Sequence, residues 1–320
     1  MRYLARRSAH AVLLLLAISV FSFALLQWAP GSFFDSMRLD PRISSQTVSG
    51  MRAEYGIDRP FVVRYARWLS SMLKGEMGFS FAYGTSVGPL LCVRARNTLL
   101  LTSSATLLAW LLAIPIGIWG AASKGTWGDR ACGMTVSALL TIPDLLLALI
   151  LLLLAVRTGW FPVGGMVSAG VGGVDFWSRV ADVARHLILP ALGLALATLP
   201  ILVRHIRSAM IDALESPFIG AARGHGIPRA RLLFRYALPA ASNPLISLFG
   251  FSIATMLSAS VIIEVVLSWP GLGPLMVQAI LARDVYVVIG VVMLSSVFLV
   301  AGNLVSDVLL FMSDPRIRVE

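Results

Sequence analysis

Charge is what this chain has least of. Only 13% of its 320 residues are Asp, Glu, Lys or Arg, while 58% are hydrophobic. A soluble globular domain carries about 25% charged residues. A surface so short of charge needs lipid as its solvent, which excludes a water-soluble enzyme or scaffold. Cysteine is nearly absent too. Cys92 and Cys132 are the only two, and no C-x-x-C or Cys/His cluster offers a metal site. Four histidines are present, His10, His186, His205 and His225. All fall near the ends of apolar runs or in loops, which leaves no Ser/His or paired-Asp centre for an intramembrane enzyme. A G-x-x-x-x-G-K-[ST] run is missing, so the chain supplies no phosphate loop for ATP. Acidic residues are outnumbered, 16 against 26 basic, for a net charge of +10. That surplus would suit nucleic acid, but the Lys and Arg residues sit between apolar runs, where membrane topology already accounts for them. Nucleic-acid binding is therefore not expected.

What the chain has is long apolar runs. About 20 apolar residues at 1.5 Å each cross roughly 30 Å of hydrocarbon. Six segments meet that length: Ala9–Ala29, Thr98–Ala121, Met134–Val156, Leu187–Val203, Pro244–Leu267 and Tyr286–Phe311. The fourth is the shortest, with a kink expected at Leu199-Pro200. The first run follows Arg2, Arg6 and Arg7 but is too long for a signal-peptide core and ends without an A-x-A-like site, so it reads as a retained helix. Basic residues set the orientation. Arg2, Arg6, Arg7, Lys124, Arg130, Arg204, Arg207, Arg223, Arg229, Arg231, Arg235, Arg316 and Arg318 collect on one side. That bias places both termini in the cytoplasm. It also puts the two cysteines near opposite faces, so they are not expected to pair.

Four divisions follow. Residues 1–29 are an N-terminal membrane helix, and residues 30–96 a long extracytoplasmic loop. Residues 97–311 form a five-helix core that includes a cytoplasmic loop over 211–240, and residues 312–320 form a cytoplasmic tail. Within the outer loop, Pro60 suits a helix start and Gly75 a stop. Val62, Tyr65, Ala66, Leu69, Met72 and Leu73 recur at helical spacing, with Arg64, Arg67, Ser71 and Lys74 opposite. This amphipathic helix either docks an external partner or forms a gate, or it simply caps the spans.

Among the carboxylates inside the spans, two stand out. Asp144 follows Pro143 in the third, and Glu264 lies near the end of the fifth. A carboxylate in hydrocarbon is costly and needs a cavity or a partner. Each is a candidate for the translocation path; the alternatives are interfacial snorkelling or a hydrogen bond to a neighbouring span. An ion-driven secondary transporter would show broken helices and paired intramembrane charges, and only Asp144 comes near that pattern.

The most informative stretch is ESPFIGAARGHGIPRARLLFRYALP, Glu215–Pro239, between the fourth and fifth spans. Neighbouring spans are usually joined by short turns; this connection has helix signals of its own. Ser216 suits an N-cap and Pro217 the first helical position. A short helix is expected from Pro217 to about Arg223, with stops at Gly224 and Gly226. A second is expected over Pro228–Leu238, ended by Pro239. Gly220 costs about 1 kcal/mol inside a helix relative to Ala. With Ala221 and Ala222 it makes a face with almost no side chains, which lets another surface approach the backbone.

These residues resemble the EAA loop of ABC importer permeases, E-A-A-x-x-x-G, nine residues, then I-x-L-P. Gly220, Ala221 and Ala222 take the first three places, Gly226 the glycine, and Tyr236-Ala237-Leu238-Pro239 the end. Gly stands for Glu and Tyr for Ile. Ala29–Gly31, YGIDRPFVVRYARWL, GEMGFS at Gly75–Ser80, HLILPALGLAL, RHIRSAM and EVVLSWPGLGPLMVQAILARD extend the likeness along nearly the whole chain. They narrow it to the first permease subunit of dipeptide, oligopeptide and nickel importers. The resemblance implies an all-α membrane protein, a six-helix type I permease in the bacterial inner membrane. It implies a homologous second permease, two ABC ATPase subunits that bind the ATP and Mg, and an extracytoplasmic solute-binding protein. No cofactor is expected in this chain. Gly220, Ala221, Ala222, Arg223, Gly226, Leu238 and Pro239 would form the ATPase-coupling site.

Overall fold

The computed structural model describes residues 2–28, 44, 46, 49–50, 60–168 and 175–313, with the side chains of residues 2–6, 27 and 313 left aside. Ala29–Gly31, most of the outer loop before Pro60, and the tail from 314 with Arg316 and Arg318 lie outside the described residues.

The described chain is helical. In order it comprises α1 (Arg2–Trp28), α2 (Phe61–Leu73), β1 (Phe79–Ser80), β2 (Thr85–Ser86), α3 (Val87–Ala122), α4 (Trp127–Leu140), α5 (Asp144–Thr158) and α6 (Phe176–Leu214). Then come α7 (Pro217–Gly224), α8 (Arg229–Arg231), a π-helical stretch (Leu232–Ala237), α9 (Leu238–Ala240), α10 (Ser242–Val266), α11 (Leu272–Leu281) and α12 (Val285–Ser313). Five of these are long and apolar enough to cross a membrane: α1, α3, α6, α10 and α12. The α4–α5 pair, bent by 95°, makes a sixth when taken as one broken span.

That bend corrects the expected third span. Met134–Val156 is not one straight helix. Pro143 takes the N-cap place of α5, with φ −60° and ψ 142°. The residue before a proline is pushed out of the helical region, so α4 stops at Leu140. Pro115, Pro190 and Pro200 leave their helices continuous. The fourth span, the shortest in the sequence, is the longest helix observed, 39 residues.

Two compact units are present. The first comprises residues 1–97 and 270–298. In it Phe61, Tyr65 and Trp68 of α2 surround Phe23 of α1, with ring centroids 5.7, 5.7 and 5.8 Å away. The Tyr65 hydroxyl meets Ser19 Oγ at 2.8 Å. The buried stripe of α2 thus runs through Phe61, Tyr65, Trp68 and Met72, while Val62 and Leu73, expected on that face, are exposed. A 3.6-residue turn accounts for the difference. The β1–β2 hairpin is fastened at Asp284, whose carboxylate accepts from Ser80 Oγ at 2.7 Å and Ala82 N at 3.1 Å.

The second unit comprises residues 98–269 and 299–320. Its core is centred on α6, with Leu194, Ile206 and Met210 fully buried alongside Met256, Ile263 and Trp269. Glycines bring helices close. A Cβ on Gly117 of α3 would lie 2.6 Å from Ile206 Cγ2, and one on Gly250 of α10 would lie 2.4 Å from Ser306 Cβ.

A polar seam joins α3 to α10. Thr98, Thr102, Thr106 and Trp110 recur every four residues on α3; Ser252, Met256, Ser260 and Glu264 do so on α10. Thr98 Oγ1 donates to Glu264 Oε1 at 2.7 Å, Thr106 Oγ1 to Met256 Sδ at 2.9 Å, and Trp110 Nε1 to Ser252 Oγ at 3.1 Å. Thr102 and Ser260 hold the intervening places and bond carbonyls of their own helices.

Candidate functional site

The polar segment after α6 folds as a seated helix, α7. Ser216 holds the N-cap place, but its hydroxyl donates back to Ala213 O at 2.5 Å instead of capping. Pro217 is at the first helical position, as its missing N–H favours. Gly224 continues the helix. The stop is Gly226, at φ +77°. Gly226 N bonds Arg223 O at 3.0 Å and Ile227 N bonds Ala222 O at 3.4 Å. This pair of bonds is a Schellman closure, which needs a left-handed residue at that place.

The face that α7 turns inward is set by Ile219, fully buried in the core of the second unit, with Ala222 packed beside it. The face turned outward carries Gly220, Ala221 and Gly224, all exposed. The small-residue face therefore differs from the expected Gly220-Ala221-Ala222. Three consecutive helical residues fan over about 200°, so one of them must turn to the core. A Cβ on Gly220 would meet nothing within 4 Å. Phe218 is 50% exposed and Phe234 60%, two large apolar rings in a polar segment.

The second helix does not end at Pro239. It runs from Arg229 through Ala240 by widening to π geometry over Leu232–Ala237, with Leu238 N bonded to Leu233 O. In an α-helix the Pro239 ring would clash with the carbonyl four residues back. The wider turn removes that clash. Leu232 and Ala237 are buried, and Leu238 packs against the same core.

Charge pairs brace this platform. Arg207 Nε and Nη2 both reach the Asp129 carboxylate at 2.8 Å, joining α6 to α4. The same carboxylate accepts from Gly125 N at 3.0 Å. Lys124 pairs with Glu215, and Arg229 donates to the Ala122 carbonyl at the end of α3. A cation suits that end of the helix dipole. Neither the Asp129–Arg207 nor the Lys124–Glu215 pair was legible beforehand, because their partners are separated by 78 and 91 residues.

The structure keeps Gly220, Ala221, Ala222 and Arg223 on α7 and places Gly226 at its closure. Leu238 and Pro239 lie at the far end of the second helix. Asp144 is half-buried at the first position of α5, where a carboxylate complements the helix dipole. Glu264 is fully buried in the seam with Thr98. Among the described residues no group of three or more His, Cys, Asp or Glu could hold a metal ion, and both cysteines are free.

The chain is similar to known proteins. The family described as "Binding-protein-dependent transport system inner membrane component" matches residues 113–319, and its N-terminal companion matches residues 1–101. The "Oligopeptide transport system permease protein AppB" of Bacillus subtilis is 37% identical over 318 residues, 99% of each chain. The "Oligopeptide transport system permease protein OppB" of Mycobacterium tuberculosis is 33% identical over 324 residues, again 99% of each. Among solved structures, one chain of the MetNI methionine ABC transporter in an inward-facing conformation superposes with a TM-score of 0.58 at 18% identity. That match covers 70% of this chain and 96% of the other, and it carries the fold alone.

Proposed function

This chain belongs to the binding-protein-dependent transport system inner membrane components, a multi-pass membrane permease subunit of an ABC importer, and from that premise we propose its task. It forms half of a path for peptides, beside a homologous second permease. Two ATPase subunits dock on the cytoplasmic face, and a solute-binding protein delivers cargo outside. The peptide class rests on relatives named for oligopeptide transport. Both termini and α7 lie on the cytoplasmic side, in keeping with the basic residues gathered there.

α7 is the coupling element, with Gly220, Ala221, Ala222, Arg223 and Gly226 at its contact, backed by Leu238 and Pro239. One observation carries this reading. α7 exposes a face of Gly220, Ala221 and Gly224 while Ile219 fixes its other face in the core. Such a helix lets a partner touch its backbone and moves only with the helices beneath it. Asp144 is the stronger candidate for the path, since it keeps exposed surface. Glu264 serves the pairing of α3 with α10.

The test uses the importer reconstituted with its ATPases and binding protein. Ala221→Trp should leave the permease in the membrane and abolish cargo-stimulated ATP turnover. Full turnover in that variant removes the coupling assignment. Mass spectrometry of solute released by the co-purified binding protein identifies the cargo class.

A further inference from the structure

A cleft of about 710 Å³ opens beside α7, between it, the end of α3 and the π-helical stretch. Its polar wall is Lys124, Glu215, Arg223 and Arg229, with Gly220 at its edge. One acid against three bases leaves an excess of two positive charges. Lys124 is answered by Glu215, and Arg229 is turned to the Ala122 carbonyl, which is a dipole end and not a counter-charge. Arg223 is exposed on the rim. The second helix carries two more exposed cations, Arg231 and Arg235. Phe218 of α7 and Phe234 of the π-helical stretch do not line the cleft, but both are exposed on the elements that do.

A concave site with uncompensated guanidinium charge calls for an anion, because burying it against a neutral surface would leave that charge desolvated and unpaired. We propose that this cleft receives a carboxylate side chain from the partner ATPase, so that docking is charge-directed as well as shape-directed. The inference rests on the coupling reading above and adds the chemistry of the partner: an acidic side chain. Arg223 and Arg229 bind it, and Lys124 stays with Glu215.

Gly220 supplies the discriminating position. Its Cβ direction is open, and either Glu or Gln improves on Gly in a helix, so both variants fold. They differ only in charge at the cleft edge. The experiment measures the affinity of the purified ATPase for the full-length permease pair in nanodiscs of zwitterionic lipid. Gly220→Gln and Gly220→Glu place side chains of equal length at the contact, and Gly220→Glu should bind at least about tenfold more weakly than Gly220→Gln, as like charges across an interface require. Arg223→Gln should weaken binding and flatten its dependence on salt. Equal affinities for the Glu and Gln variants, or tighter binding by the Glu variant, overturn the proposal. An Arg223→Gln loss seen only in discs containing phosphatidylglycerol assigns the cleft to lipid headgroups and also overturns it. Failure of the ATPase to bind the unaltered permease strikes instead at the coupling reading itself.

Discussion

The Thr98–Glu264 bond is the rung of the α3–α10 seam whose energy is most accessible to measurement. Glu264 has no exposed surface and accepts from Thr98 Oγ1 at 2.7 Å. A hydrogen bond to a charged group contributes about 1.5–3 kcal/mol in water-soluble proteins. Between membrane helices measured values average about 0.6 kcal/mol and reach about 1.7. The short distance and complete burial place this rung near the top of that second range, about 1.5 kcal/mol. Thr98→Val keeps the shape of the side chain and removes the donor, so it should lose about that much. Glu264→Gln keeps an acceptor oxygen and should lose less in the Thr98 background than Glu264→Leu. In the Glu264→Leu background, Thr98→Val should lose less than in the parent, because the Thr98–Glu264 bond is already gone. The readout is reversible unfolding of the purified permease in mixed micelles, taken as a double-mutant cycle. Additivity of the two substitutions to within about 0.3 kcal/mol refutes the reasoning and reduces the seam to coincident spacing.

Gly117→Val should destabilise the chain by about 1–3 kcal/mol, since its Cβ would lie 2.6 Å from Ile206 Cγ2 and 3.3 Å from the Arg207 nitrogen; an unchanged melting temperature contradicts the close approach. Arg207→Lys replaces two bonds of 2.8 Å with a point charge and should lose about 1 kcal/mol, read as a lower melting temperature that Asp129→Asn reproduces without further loss when combined.

Much of the fold was legible because apolar length is written directly in the chain. The six runs of Ala9–Ala29 through Tyr286–Phe311 each match an observed helix or helix pair. Pro60 and Gly75 bound α2 as their backbone preferences require. Illegible features were those decided by partners distant in sequence. Pro143 stands at the start of a helix where its span bends by 95°, whereas Pro190 and Pro200 lie inside one continuous helix. Glu264 read as a possible path residue because its donor, Thr98, stands 166 residues away. The four-residue spacing of Thr98, Thr102, Thr106 and Trp110 takes its meaning only from the antiparallel stripe on α10. At α7 the closure by Gly226 was readable, whereas the inward turn of Ala222 was not, because it depends on where Ile219 finds its core.

The packing around α7 bears on how a push there would travel. α6 is 39 residues long, about 58 Å at 1.5 Å per residue, well beyond the roughly 30 Å of hydrocarbon. Its last turn leads into α7 through Glu215 and Ser216, and the Asp129–Arg207 pair ties its inner half to α4. Gly117 presses α3 against the same region. On the coupling reading, a displacement of α7 therefore acts on α6, α4 and α3 together and cannot be absorbed by slack at the cytoplasmic end. The compliant place is the break between α4 and α5 at Thr141–Pro143, where the backbone hydrogen-bond ladder is interrupted. Asp144 stands immediately beyond that break. On that reading, the exposure of this carboxylate, at the first turn of a helix whose neighbour moves with the ATPases, would change as the nucleotide cycle proceeds.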